Sequence, residues 1–242
     1  MIKFDSKGYW KKTTWDRYYE LQKVPDQVRK EFLNQEELTI SCISSLAKHR
    51  EKINVLDLAC GTGRISESIL NSAPEKIHIT LLDFNENTIM KARERLHQYK
   101  NIDYVLLDVY DLGSNFIEKY DVIVAMDIFH HISDLELFIK QIHIALKPNG
   151  VLIANAFDNA KYKEWDKLKY GNLTSLKRRM RHRISTAFYP LMPSGLKKKI
   201  TDNGYARISP LTDEIISKCI DTFFEDLHFK RSYYLWFTAI KK

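Results

Sequence analysis

Four aspartates stand at or just after the ends of short apolar segments: Asp57, Asp83, Asp108 and Asp127. A carboxylate beside a buried strand is costly unless it binds something polar, because burial removes its hydration. In open α/β sheets, ligands bind beyond the carboxyl ends of the strands, where helix N-termini also point. These acids therefore predict a polar ligand at one edge of a parallel sheet.

A loop with two glycines, Ala59-Cys60-Gly61-Thr62-Gly63, follows the first apolar segment. We expect both glycines to allow a tight turn and the close approach of a ligand, because they carry no Cβ atom. Asp83 lies twenty residues after Gly63, where a carboxylate can accept both hydroxyl groups of an unphosphorylated ribose. Phe84 offers a flat face for an adenine. Asp108 can accept a hydrogen bond from an exocyclic amine.

Strands and helices alternate around these residues. Amphipathic helices are predicted between and after the strands, at 65–70, 87–98, 135–146 and 212–220. Strands buried on both faces should be nearly continuous in apolar residues, and five such strands are predicted at 53–58, 77–82, 102–107, 120–125 and 151–156. The pattern predicts an α/β fold, a parallel sheet with helices on both faces.

The rest of the chain is predicted to flank this core. Residues 9–46 have helical spacing, interrupted at Pro25, which suits the first turn of a second helix. Two strand-like runs near the C-terminus, 222–229 and 233–240, are separated by Lys230-Arg231 and could form a hairpin at the sheet edge. The predicted organisation is an N-terminal helical lid, a core, an inserted cap, and a C-terminal helix with a hairpin, at 1–49, 50–157, 158–210 and 211–242.

The segment Val55-Leu56-Asp57-Leu58-Ala59-Cys60-Gly61-Thr62-Gly63-Arg64 resembles the first motif of class I S-adenosylmethionine-dependent methyltransferases. Asp83 resembles their ribose-binding acid and Asp108-Val109 their adenine-edge position. The segments 129–134 and 146–152 resemble their regions after the fourth strand and before the fifth. The resemblance covers about residues 50–157. It implies a Rossmann-like, seven-stranded, mostly parallel sheet with an antiparallel last strand, with S-adenosyl-L-methionine as cofactor, S-adenosyl-L-homocysteine as product and no metal.

The same resemblance assigns residues to the cofactor. Asp57 and the backbone of 59–63 would face its amino-acid end, and Met126 would contribute a main-chain contact. Ala59 departs from the family, which usually has a glycine there, and we expect its methyl group to tighten the loop rather than block it. The predicted cofactor-binding residues are Asp57, Ala59, Cys60, Gly61, Gly63, Arg64, Asp83, Phe84, Asp108, Val109 and Met126.

The acceptor of the methyl group is expected near the end of the fourth strand. Methyl transfer requires an acceptor held in line with the S–CH₃ bond and, for some acceptors, a base. His130 and His131 follow this strand, and either could be that base or could simply pack, since histidine titrates near neutrality. Asp127 and Asp158 could hold an amine by charge, although Asp158 could equally cap a helix.

Aromatic residues are concentrated in two segments that could cover the site. The N-terminal cluster could form a lid that excludes water and attracts a sulfonium or an ammonium group, or could simply pack. The insertion after the fifth strand resembles a substrate cap, so we expect specificity to reside there. The predicted substrate-contacting residues are Tyr9, Trp10, Trp15, Tyr18, Tyr19, Tyr162 and Tyr189.

Charge leaves several partners open. The net charge is +7, but residues 158–200 alone carry +9, with twelve Lys and Arg against three acids, and the rest of the chain carries −2. Such a segment could attract an anionic substrate, a membrane surface or nucleic acid, or could be a solvated helical face. Three scattered cysteines, no secretory signal and no run of about 20 apolar residues predict a reduced, cytoplasmic chain without a transmembrane segment. The oligomeric state is left open.

The leading hypothesis is N- or O-methylation of a small or peptide-like metabolite, including the terminal amine of a modified natural-product peptide. RNA methylation is the alternative that the basic 177–183 run suggests. A non-catalytic S-adenosylmethionine-binding module is the third. A nicotinamide dehydrogenase fits less well, because Ser66 replaces the third glycine of its fingerprint and Asp57 would repel a pyrophosphate.

Overall fold

A computed structural model of the protein describes residues 25–73, 75–171 and 211–242, with the isolated positions 176 and 193. Seven strands form one sheet in the order β3-β2-β1-β4-β5-β7-β6. Strand β7 is antiparallel to both of its neighbours, and the pairs among β1–β5 are parallel. The strands are β1 (Ile53–Leu58), β2 (Ile77–Asp83), β3 (Ile102–Leu106), β4 (Tyr120–Ala125), β5 (Leu146–Phe157), β6 (Phe224–Arg231) and β7 (Tyr234–Lys241). This order confirms the predicted Rossmann-like fold.

Three of the described α-helices begin at a capping side chain. Asn85, Asp134 and Thr212 each accept a hydrogen bond from a backbone N–H of the helix that follows, as N-cap residues do. The described helices are α1 (Asp26–Ala47), α2 (Arg64–Ser72), α3 (Glu86–Arg95), α4 (Leu112–Asn115), α5 (Leu135–Ala145), α6 (Tyr162–Tyr170) and α7 (Asp213–Ile220), with short 3₁₀ helices at Val109–Asp111 and Phe129–His131.

Two hydrophobic cores, one on each face of the sheet, hold the layers together. Helices α1, α2 and α3 pack against one face, and α4, α5 and α7 against the other. Successive residues of β4 point to opposite faces: Val122 and Val124 belong to the first core, Ile123 and Ala125 to the second. The strand is apolar throughout this stretch because both faces are covered. The prediction of helices on both faces is confirmed.

Strand boundaries differ from the sequence prediction in two places. Strand β5 begins at Leu146, which pairs with Tyr120 across a register shift, rather than at 151. The Pro-Asn-Gly segment is therefore part of an irregular strand, in which Asn149 has φ 58°, instead of a loop before it. The C-terminal hairpin forms as predicted, but β6 continues through Lys230-Arg231. Within the described residues, no helix has both the length and the apolar character needed to span a bilayer.

Candidate functional site

A crevice of about 400 Å³, including its open mouth, lies at the carboxyl ends of β1 and β4. These two strands are neighbours in the sheet, where the strand order reverses direction. Such a reversal point is where ligands bind in open α/β folds. The crevice is lined by Asp57, Ala59, Cys60, Gly61, Thr62, Arg64, Ile65, Met126 and Asp127. Most of the predicted loop residues are therefore brought together, with Met126 and Asp127 from the fourth strand's end.

The two glycines of the loop have different structural roles. Both have positive φ, 57° at Gly61 and 78° at Gly63. A Cβ atom on Gly61 would have no neighbouring atom within 4 Å, so a ligand can approach its backbone closely. On Gly63 it would lie 3.0 Å from Leu96 Cδ1 and 3.3 Å from Leu81 Cδ2. The geometry fits the predicted ligand clearance at Gly61, whereas Gly63 is required by packing against the sheet and α3.

Ala59, where the family usually has glycine, has φ 61°. Left-handed backbone costs an L-residue about 1–2 kcal/mol, because Cβ approaches the following carbonyl oxygen. From the sequence, we expected only the volume of the methyl group to matter. The structure shows that the consequence of this substitution is backbone strain in the loop.

Two buried carboxylates stand beside the loop. Asp57 is 2% exposed and accepts a hydrogen bond from Ser66 Oγ at 2.6 Å. Asp83 is 8% exposed and accepts from the backbone N–H groups of Gly61, at 3.2 Å, and Asn85, at 2.9 Å. Burial, which penalises the charged form, raises the pKa of each carboxyl group to about 6. Ser66, which in the sequence stood out only as the replacement for a third glycine, is the partner that orients Asp57.

The predicted adenine-edge residues lie at the same edge of the sheet but do not line the crevice. Asp108 is half-buried and accepts a hydrogen bond from Tyr110 N at 3.1 Å, which caps the 3₁₀ helix. Val109 is 8% exposed, and Phe84 is half-buried after β2. The ends of β2 and β3 are joined by a bond from Leu107 N to the Asp83 carbonyl oxygen at 3.2 Å. Their contact with an adenine stays a prediction.

Arg64 is engaged by helix α1. Its guanidinium group pairs with the carboxylate of Glu36, which also accepts a hydrogen bond from the Ser68 hydroxyl. The same guanidinium lies 5.6 Å from the ring centroid of Phe32. Because Glu36 offsets the positive charge of Arg64, this arginine does not neutralise the carboxylates of Asp57 and Asp127 that line the crevice. No pattern in the sequence indicated this partner.

Asp127 forms the opposite wall with left-handed backbone, at φ 58°. Its backbone N–H donates to Asn155 Oδ1 at 2.6 Å. Asn155 is fully buried, and its Nδ2 donates to Gln35 Oε1 of α1 at 2.5 Å. Sequence reasoning missed both partners, because they are distant in the chain and neither belongs to a motif.

The two histidines have different surroundings. His130 is 2% exposed, with its ring centroid 4.2 Å from that of Phe157 and 4.3 Å from that of His131. His131 is half-buried in the same 3₁₀ helix. Packing accounts for the position of His130, which was one of its two predicted roles. A role as base for either histidine stays a prediction.

Asp158 and Tyr162 lie at the start of α6. Asp158 Oδ1 accepts a hydrogen bond from Ala160 N at 2.9 Å, and Oδ2 lies 3.3 Å from Arg231 Nε. Asp158 does not cap α6, whose N-cap position is Lys161 without a side-chain cap hydrogen bond; its carboxylate is used by the turn before the helix and by β6. Tyr162 is half-buried, and its ring centroid is 5.3 Å from that of Phe157, which places it beside the aromatic cluster around His130.

Other predicted substrate residues lie outside the described part of the chain. These are Tyr9, Trp10, Trp15, Tyr18, Tyr19 and Tyr189. About half of the predicted lid, 1–24, and most of the predicted cap, including the basic run at 177–183, also lie there. Among the residues that the structure describes, no three His, Cys, Asp or Glu side chains are grouped so that they could hold a metal ion.

Comparison with known proteins places this site in a family. Residues 49–202 match the model of a methyltransferase domain. The chain is 32% identical over 133 residues to a malonyl-[acyl-carrier protein] O-methyltransferase of Bacillus anthracis, covering 54% of this chain and 48% of the relative. It is 32% identical over 112 residues to a ubiquinone biosynthesis O-methyltransferase of Erwinia tasmaniensis, covering 46% and 44%. The chain thus spans about half the length of the curated relatives it matches.

A solved structure shows the same fold over nearly the whole chain. The N-methyltransferase NodS from Bradyrhizobium japonicum, in complex with S-adenosylhomocysteine, has a TM-score of 0.58 and 15% identity, covering 93% of this chain and 92% of that one. The family assignment decides against the nicotinamide dehydrogenase alternative, and S-adenosylmethionine is the cofactor that the family implies. From the domain match over 49–202 and the seven-stranded sheet with its antiparallel β7, the chain belongs to the class I, Rossmann-like S-adenosylmethionine-dependent methyltransferases.

Proposed function

We propose that the chain transfers a methyl group from S-adenosylmethionine to a nitrogen or oxygen atom of a small or peptide-like metabolite, including the terminal amine of a modified natural-product peptide. The observation that carries the proposal is the charge of the crevice. Asp57 and Asp127 line it, Asp83 contacts its loop through Gly61, and the charge of Arg64 is offset by Glu36. S-adenosylmethionine is cationic at its sulfonium and ammonium groups, so it suits such a site, whereas a pyrophosphate would be repelled.

The residues fit the cofactor in a definite order along the sheet edge. Asp57 and the backbone of 59–63 would hold its amino-acid end, where the open face of Gly61 admits close approach. Asp83 would accept the ribose hydroxyls, with Phe84, Asp108 and Val109 toward the base and the main chain of Met126 on the far wall. When bound, the cofactor supplies a methyl group activated by the positive sulfur.

The acceptor would lie on the β4 side of the crevice. Asp127 would hold an amine by charge, and half-buried His131 would take a proton from a hydroxyl or an ammonium group. The names of the relatives support both acceptor types: two are O-methyltransferases and NodS is an N-methyltransferase. Close positioning of the acceptor supplies much of the rate in such transfers.

Two further hypotheses remain as alternatives. An RNA acceptor is suggested only by the basic 177–183 run, which lies outside the described residues. A non-catalytic S-adenosylmethionine-binding module would keep the crevice but have no acceptor. Salt-sensitive binding of tRNA would favour the first, since phosphate contacts weaken steeply with salt.

Calorimetric titration of the purified chain with S-adenosylmethionine, S-adenosylhomocysteine and NAD tests the cofactor. We expect saturable binding of the first two and none of NAD. Formation of S-adenosylhomocysteine is then measured with a panel of small amines, phenols, carboxylic acids and N-terminal peptides. Preference for NAD would contradict the assigned cofactor, and binding without turnover on any acceptor would favour the non-catalytic module.

A further inference from the structure

Helix α1 buries three polar side chains in the middle of its core-facing stripe. Glu31, Gln35 and Thr39 are 7%, 3% and 0% exposed, while the stripe is apolar at Val28 before them and Ile43 after them. Burying polar side chains is costly unless they are hydrogen-bonded. Since apolar side chains would cover the sheet equally well, these residues indicate a specific task for this part of the helix.

Two of them belong to a chain of hydrogen bonds that ends at the crevice. Ser232 Oγ, in the β6–β7 turn, donates to Glu31 Oε2 at 2.7 Å, and Gln35 Nε2 donates to Glu31 Oε1 at 3.3 Å. Asn155 Nδ2 donates to Gln35 Oε1 at 2.5 Å, and Asp127 N donates to Asn155 Oδ1 at 2.6 Å. This chain of hydrogen bonds connects the half-buried β6–β7 turn, α1, β5 and the end of β4.

The direction of every bond in this chain is fixed by its ends. A backbone N–H can only donate, so the oxygen of Asn155 must face Asp127 and its amide nitrogen must face Gln35. The nitrogen of Gln35 must then face Glu31, whose carboxylate is an acceptor. Because both amides are polarised in the same sense, each bond strengthens the next.

The hydrogen-bond chain ends at Asp127, which, like Ala59, lines the crevice with left-handed backbone. Asp127 has φ 58°, a conformation that a non-glycine residue keeps only when its surroundings hold it there. Its bond to Asn155 supplies that restraint. On the opposite wall, Glu36 of the same helix holds Arg64. One helix therefore reaches both walls of the crevice through two adjacent side chains, Gln35 by way of Asn155 and Glu36 directly.

We propose that Gln35 and Asn155 are positioning residues that hold the Asp127 turn, and with it the acceptor side of the crevice, in the geometry required for methyl transfer. The inference rests on the proposed function, in which Asp127 faces the acceptor. It assigns α1 a role in turnover beyond covering the sheet. The cofactor side is held separately by the Asp57–Ser66 and Asp83–Gly61 contacts, so cofactor affinity should be insensitive to this network.

The test replaces Gln35 by Met, which keeps the length of the side chain but removes both its hydrogen bonds. The matched control is Thr39→Val, one turn further along the same buried stripe, whose hydroxyl donates to the Gln35 carbonyl oxygen of its own helix at 2.8 Å. Three quantities are compared: hydrogen exchange of the Asp127 amide by NMR, affinity for S-adenosylhomocysteine, and kcat with the acceptor that gives turnover in the wild type.

For Gln35→Met we expect at least roughly tenfold faster exchange at Asp127 and a roughly tenfold lower kcat, since small misplacements near reacting groups are costly. Affinity for S-adenosylhomocysteine should stay within about twofold, and Thr39→Val should leave exchange and kcat within about twofold of the wild type. Unchanged exchange at Asp127 would overturn the proposal, and so would a fall in cofactor affinity that matches the fall in kcat.

If Gln35→Met does not fold, Ser232→Ala decides the question from the other end of the network. Ser232 lies in a half-buried turn, and its loss should speed Asp127 exchange by roughly two- to threefold. No change there would also overturn the proposal. Absence of methyl transfer by the wild type on every acceptor would contradict the proposed function, and the exchange of Asp127 would still decide the positioning role.

Discussion

The two walls of the crevice are built in different ways. The wall after β1 is formed by one stretch of chain, 57–66, mainly through its backbone turns and N–H groups. Asp83, from the neighbouring strand β2, contacts this stretch through Gly61. The wall after β4 depends on Asp127, Asn155 and Gln35, with the last two 120 positions apart. The first wall can be specified by a short motif, whereas the second exists only when α1 packs against β5.

Their physical character differs as well. Burial raises the pKa of Asp57 and Asp83 on the first wall to about 6. A cation bound beside them would favour their ionised form, so this wall would interact with a ligand through charge. Beyond the second wall, the rings of His130, Phe157 and Tyr234 pack together at 4.2–6.5 Å between centroids. The comparison suggests that cofactor affinity and turnover can be changed independently, and the following predictions test that separation.

The largest effect is expected on the β4 side. His131→Ala should lower kcat by roughly 100-fold if the residue is the base, since a positioned base contributes about 10²–10⁴-fold. Affinity for S-adenosylhomocysteine should be unchanged. Steady-state kinetics with His97→Ala, an exposed histidine after α3, provide the control. Turnover equal to the wild type would remove His131 from the mechanism.

The next effect belongs to the β1 side. Asp83→Ala should weaken cofactor binding by about 1–3 kcal/mol, the cost of leaving the ribose hydroxyls unpaired. Calorimetry measures it, with Asp103→Ala as the control, because Asp103 is an exposed carboxylate on the neighbouring strand that pairs with His78. A binding isotherm identical to that of the wild type would contradict the ribose assignment.

The two loop glycines give a smaller contrast within one wall. Gly63→Ala should destabilise the fold by about 2 kcal/mol, through left-handed strain and overpacking against Leu96. Gly61→Ala should cost about 1 kcal/mol of stability from strain alone, yet weaken cofactor binding more than Gly63→Ala does at temperatures where both are folded. Chemical denaturation and calorimetry separate the two. The reverse order of affinities would show that the ligand does not approach Gly61.

The smallest effect is a pH dependence of the first wall. Because burial raises the pKa of Asp57 and Asp83 to about 6, both are ionised above that pH and become protonated below it. Affinity for the cationic S-adenosylmethionine should therefore be highest above about pH 7 and fall roughly tenfold by pH 5. Neutral 5′-methylthioadenosine is the control and should respond less. An affinity that rises on acidification would contradict the charge argument.

Much of the fold could be predicted because each element has a local cause. Strands covered on both faces are continuously apolar, as β4 is, and helix starts have capping residues such as Asn85 and Asp134. The predicted start of β5 was wrong because a local turn sequence lies inside the strand. Pro-Asn-Gly before residue 151 predicts a turn, but the pairing of Leu146 with Tyr120 extends β5 through it. The energy of burying Leu146 is a property of the assembled sheet.

The residues of the site also fall into those that the sequence predicted and those whose roles only the structure revealed. The sequence alone determined the glycine loop and the acids at the strand ends, because both depend on backbone turns and strand order that neighbouring residues encode. Only the tertiary structure decided that Gly63 serves packing, that Ser66 orients Asp57, and that Glu36 offsets Arg64. The links from Asp127 through Asn155 to Gln35 were also decided there, since a hydrogen bond between residues 120 positions apart depends on how α1 packs on the sheet. Such contacts leave no periodicity or spacing in the chain from which they could be predicted.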